Sequence, residues 1–125
     1  MTVDRQVEFK LTVERSRFFV LLFPAADEAA LEDVVRRQKR EYHRARHHCW
    51  ACRIAAQGGQ VLEKSKDDGE VGHPGRVMLE ILRRHDLLGG IVVSRIFGGV
   101  KLGVGGVSRA FRDAAQGAVD IYMKS

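Results

Sequence analysis

The sequence has no apolar run near the ~18 residues that mark a membrane-spanning helix, and its start lacks the basic-then-apolar order of a secretory leader. A helical membrane protein is therefore excluded, and a soluble, cytoplasmic chain without a membrane partner is the expectation. There is no internal repeat and no low-complexity tract. Cysteine is scarce: Cys49 and Cys52 form one C-x-x-C, and no second pair follows to complete a zinc tetrahedron. The pair falls in an expected strand, where residues three apart point to opposite faces. Redox activation would instead need a helix start after the first thiol. Both cysteines read as small buried residues. A Walker A loop, a G-x-G-x-x-G fingerprint and a nucleophile–base pair are also missing. No catalytic residue, resident metal or cofactor is expected.

What is present is a concentrated charge. The 125 residues make one domain, enough to bury about two-thirds of the unfolded surface, and carry a net charge of +5. Between Arg36 and Arg53 stand seven Lys/Arg against one acid, while the remainder holds 14 bases and 15 acids. Arg40, Arg44 and Arg46, with His47 and His48 beside them, form a basic patch of the kind that seeks polyanions.

The second concentration is glycine. Ile91 to Phe111 reads IVVSRIFGGVKLGVGGVSRAF, with Gly98, Gly99, Gly103, Gly105 and Gly106 inside nine positions. A buried strand, a glycine turn and a helix resuming at Val107 would aim backbone N–H groups at an anion. Arg95, Lys101 and Arg109 surround that turn. Tight turning and close backbone packing account for clustered glycines equally directly. Arg95 could pair with an acid such as Asp67. Arg109, in the first turn of a helix, is a cation where the dipole disfavours one, which suggests a bound anion or a carboxylate partner.

Taken in order, Val7, Phe9, Leu11 and Val13 alternate as a strand, and Arg17 to Phe23 is a stronger one ended by Pro24. Asp27 can cap a helix to about Tyr42, with Leu31, Val34 and Val35 inward. A strand over Cys49 to Ala55, a Gln57–Gln60 hairpin turn and a strand from Val61 come next. Asp67, Asp68 and Glu70 then place three carboxylates in four positions. They suit a divalent cation, a general base or a solvated Asp-Gly turn. A helix over about Arg76 to His85 leads to the central strand. The last helix, Val107 to about Met123, should bury Val107, Ala110, Phe111, Ala114, Ala118 and Ile121. The order β-β-α-β-β-α-β-α predicts an α+β two-layer sandwich.

The glycine stretch resembles the signature V-V-x-R-Y-F-G-G-x-K-L-G-x-G-G-L-x-R-A-Y of the IMPACT/YigZ family, with Ile96, Val107 and Phe111 in place of Tyr, Leu and Tyr. Two more family blocks resemble Ser16-Arg17-Phe18 with Ala45 to Ala51, and Asp67 to Leu79. The last is one residue shorter than the family pattern and lacks its Thr-Ala pair and its usual prolines. The blocks span about residues 15–118. The resemblance implies a fold similar to the second domain of ribosomal protein S5, and a single IMPACT-type domain over 1–125 without the family's usual second domain. It also implies translation regulation. The leading expectation is a binding module that contacts RNA, the ribosome or a translation-regulatory protein. The alternative is an enzyme or sensor holding a phosphorylated small molecule at the glycine turn, with Lys101 against developing charge and the acidic loop on a metal.

Overall fold

In the computed structural model, which describes residues 1–125, the expected periodicities become β1 (Val7–Val13), β2 (Ser16–Phe23), α1 (Glu28–Glu41), β3 (His47–Ala55), β4 (Val61–Lys66), α2 (Pro74–Arg84), β5 (Gly89–Ile96) and α3 (Gly103–Lys124). The element order matches the expectation. All strand pairs are antiparallel, in the order β1-β2-β5-β3-β4. The continuous apolar run of β5 has its reason in that order: the strand is central and covered on both faces.

Alternation along the strands divides the interior. Phe18, Val20 and Leu22 of β2, Cys49 and Ala51 of β3, and Ile91 and Val93 of β5 pack with α2 and α3 in the main core. The intervening Leu21, Phe23, Cys52, Ile54 and Val92 meet Leu31, Val34 and Val35 of α1 in a smaller one. Sheet and α2/α3 are the two layers of the α+β sandwich, and α1 lies against the sheet's other face. Cys49 and Cys52 fall in different cores, as their spacing predicts.

Helix ends follow local chemistry. Asp27 caps α1 by accepting from the Ala30 N–H at 2.8 Å. Pro74 opens α2, two residues before the expected start, because a first-turn proline gives up no helical donor. The last helix departs further from expectation, starting at Gly103 rather than Val107. Its inner face also differs: Ile121 is 42% exposed and Tyr122 is buried. The Tyr122 hydroxyl donates to the Thr2 carbonyl and accepts from the Asp4 N–H, each at 3.1 Å, so the N-terminal segment selects the aromatic residue. No helix is long and apolar enough to cross a membrane.

Candidate anion-binding cleft

The turn between β5 and α3 is held by contacts that explain some of its glycines and not others. The Gly98 N–H donates to Ser16 Oγ at 3.1 Å, and a Cβ there would lie 2.1 Å from the Arg15 carbonyl carbon. Gly98 is thus a packing glycine that locks the turn onto the β1–β2 hairpin. Gly99 and Gly103 take φ of +90° and +73°, the left-handed region that suits glycine. Gly105 and Gly106 have neither excuse of conformation, since they lie inside the first turn of α3. At Gly105 an added Cβ would meet only Arg109 Nη1, at 3.6 Å. A helical glycine costs about 0.8–1.0 kcal/mol relative to alanine, and packing does not require this one. It leaves bare backbone at a helix start where Leu102 supplies no side-chain cap. The first N–H groups of α3 are therefore unsatisfied donors at the positive end of the dipole.

That helix start opens into a cleft of about 630 Å³. Arg44 and Arg46 come from the α1–β3 connection, His47 from the start of β3, Arg95 from the end of β5, Phe97 and Lys101 from the turn that follows, and Gly103 and Val104 from the start of α3; Val71 of the acidic loop completes one wall. Arg44, Arg46 and Lys101 are exposed and have no carboxylate within ion-pair distance. Charges far apart in sequence thus converge with an uncapped helix.

Arg95 is different in kind. Its side chain is only 9% exposed, and Nη1 donates to Glu70 Oε2 at 3.0 Å, where the Glu70 side chain is 4% exposed. The partner is Glu70 and not Asp67. Nη2 reaches Ser16 Oγ at 3.5 Å, and the guanidinium sits 5.6 Å from the Phe18 ring and 5.8 Å from the Phe97 ring. Arg95 Nε is the one buried side-chain nitrogen or oxygen without a partner.

The three acidic-loop carboxylates do not converge. Asp67 Oδ1 accepts from the Gly75 N–H at 2.9 Å, Asp68 Oδ2 accepts from the His48 N–H at 2.8 Å, and Glu70 takes Arg95. Each secures a different segment, so neither a metal cage nor a solvated turn describes them, and no cluster of three or more His, Cys, Asp or Glu side chains is placed to hold an ion. Cys49 donates its thiol to the Asp67 carbonyl at 3.1 Å, and burial pushes that thiol well above its ordinary pKa.

Of the five turn glycines only Gly103 lines the cleft, and Gly98, Gly99, Gly105 and Gly106 stand outside it with Arg40, His48 and Arg109. Arg40 is exposed on α1 and does not line it. His48 faces the opposite side of the sheet from His47, buried, with Nδ1 2.8 Å from Ser94 Oγ; burial lowers its pKa. Arg109 is exposed, outside the cleft and without a carboxylate partner. Because α3 begins at Gly103, Arg109 falls in the second turn, where the dipole penalty has faded. The inference from its position therefore lapses. Phe97, Val71 and Val104 are cleft residues that charge and glycine spacing did not nominate, and Ser16, fully buried behind the cleft, holds Arg95 and Gly98. All four lie within the quoted stretches, and that was their only signal.

Residues 14–119 match the family model of the Impact N-terminal domain. The chain belongs to this family. It is 36% identical over 112 residues to the IMPACT family member YvyE of Bacillus subtilis, covering 88% of this chain and 51% of that protein. It is 38% identical over 109 residues to an IMPACT family member of Thermus thermophilus, covering 86% and 56%. With YigZ of Escherichia coli it shares 34% over 102 residues, covering 79% and 50%. The Impact domain described here thus spans about half the length of the curated relatives it matches. A crystal structure of a hypothetical protein superposes with a TM-score of 0.88 at 29% identity, over 95% of this chain and 59% of that one. The two-domain translational regulator Yih1 shares the fold at a TM-score of 0.56 and 23% identity, over 94% and 45%.

Proposed function

We propose that this Impact domain is a non-catalytic module that binds RNA, free or within the ribosome, in the cytoplasmic regulation of translation. One observation carries the reading: Arg44, Arg46 and Lys101, none of them ion-paired, surround the uncapped start of α3 in a single cleft. Unpaired cations are available for phosphates, and first-turn N–H groups add directed donors. The translational setting follows Yih1, a translational regulator that shares the fold. The acidic-loop carboxylates support the non-catalytic part, since each is already engaged in holding the fold. A translation-regulatory protein is the competing partner, and Arg40 and Arg109 stand outside the cleft as cationic controls.

The test is fluorescence anisotropy of labelled ribosomal RNA fragments titrated across salt. Lys101→Ala and Arg44→Ala should each reduce the log–log salt slope by about 0.7–0.9, one phosphate's worth, and Arg40→Ala should change it less. Slopes that do not respond to the cleft residues would overturn the assignment. A second reading has its own observation, the 630 Å³ volume, which falls in the range of small-ligand pockets, roughly 300–1,000 Å³. In that reading a phosphorylated small molecule sits with its phosphate at the start of α3. Calorimetry with ATP and Mg²⁺ decides it, because heat at millimolar ligand is required.

A further inference from the structure

A site that only neutralised phosphates would need no apolar wall, yet six of the twelve residues lining this cleft are hydrophobic. Phe97, Val71 and Val104 are 54%, 49% and 61% exposed. Scattered apolar surface is ordinary, but these three share one cleft with three free cations. Phe97 is also held in place. On one side the Arg95 guanidinium, fixed by Glu70 and Ser16, lies 5.8 Å from its ring centroid. The Phe97 backbone is anchored by the next residue, Gly98, which is locked onto Ser16 and the Arg15 backbone. The guanidinium backs the ring and the anchored backbone limits its movement, which reduces the freedom lost when something flat settles on it.

We infer that the cleft selects single-stranded RNA, stacking one unpaired base on Phe97 and seating its phosphate among Lys101, Arg44, Arg46 and the first N–H groups of α3. The inference rests on the RNA reading above and narrows it. Aromatic platforms beside a cationic groove are the general solution for single strands. In a duplex the bases are stacked away, and the protein meets phosphates and sugar hydroxyls instead. Phe97 and its apolar neighbours would then face nothing.

The experiment compares a fluorescein-labelled ten-nucleotide oligouridine with a blunt RNA duplex of equal phosphate number. Phe97→Ala should weaken the oligouridine by about 5- to 150-fold, the range of one lost base–aromatic stack. It should leave the salt slope and duplex affinity unchanged. Phe97→Trp should restore single-strand binding, and its emission beyond that of Trp50 should be quenched as the strand is added; the unchanged duplex affinity of the alanine variant shows that its loss is not misfolding. Equal affinity for both RNAs, with no effect of Phe97→Ala, overturns the single-strand inference while leaving RNA binding in place. Absence of binding to either RNA overturns both. Polyglutamate of matched charge binding as tightly as oligouridine overturns the nucleic-acid assignment in favour of an acidic protein segment.

Discussion

Glu70→Ala is the most informative single perturbation, because it separates burial from distance as the source of an ion pair's value. Glu70 and Arg95 meet at 3.0 Å with side chains 4% and 9% exposed. Lys64 and Glu28 meet more closely, at 2.6 Å, but are 47% and 45% exposed. Removing one partner of a buried pair leaves an uncompensated charge and costs about 3–5 kcal/mol, whereas water and salt screen most of an exposed pair's attraction. The longer contact should therefore matter several times more. In urea, with a slope of ~2 kcal/mol/M for a domain of this size, Glu70→Ala should move the unfolding midpoint down by about 1.5–2.5 M. Glu28→Ala should move it only slightly. Glu70→Gln, which keeps an acceptor, should fall between them. Equal midpoints for the two alanine variants would refute the reasoning, showing that water already screens Arg95. The consequence reaches the cleft, since Arg95 is what backs Phe97.

Further outcomes follow from the same contacts. Gly98→Ala should lose about 1–3 kcal/mol, because the added carbon lies 2.1 Å from the Arg15 carbonyl carbon and backbone must move; an unchanged thermal midpoint would contradict that packing. His48 has its pKa lowered from 6.5 first by burial, so the unfolded chain takes up a proton before the folded one does. Stability from this group is full above about pH 6.5 and is lost as pH falls through the folded value. Thermal midpoints between pH 7.5 and 5.5 should drop more steeply for the wild type than for His48→Gln, and parallel curves would refute it. Cys49 and Cys52 are buried with raised pKa values, chiefly through desolvation. A thiol reagent should modify neither in native protein and both in denaturant, and rapid native labelling would contradict their burial.

Much of the fold was legible because the signals are local. Asp27 before an apolar 3.6-residue pattern marks a helix start whatever surrounds it, and the bonded Ala30 N–H is where that reasoning puts it. The C-x-x-C likewise needs only strand geometry to place its thiols in separate cores. Helix ends near glycine were less legible. Gly103 to Gly106 read as a loop by propensity, yet they form the first turn of α3, because Val107, Ala110 and Phe111 bury on the sheet and draw the helix back toward β5. Near the far end, the choice of Tyr122 over Ile121 was made by residues 118 and 120 positions away in sequence.

The sequence alone determined the element order, the antiparallel-compatible alternation, the family and the presence of two charge-rich stretches, because periodicity, capping and motif identity are properties of neighbours along the chain. Which charges work together was decided only by tertiary structure. Strand alternation sends His47 to the cleft side and His48 to the other face, and antiparallel pairing sets His47 opposite Arg95. The acidic loop turns its three carboxylates to three different partners. Those outcomes depend on which segments meet across the sheet, and the free energy of burying or pairing a charge exists only once they have met.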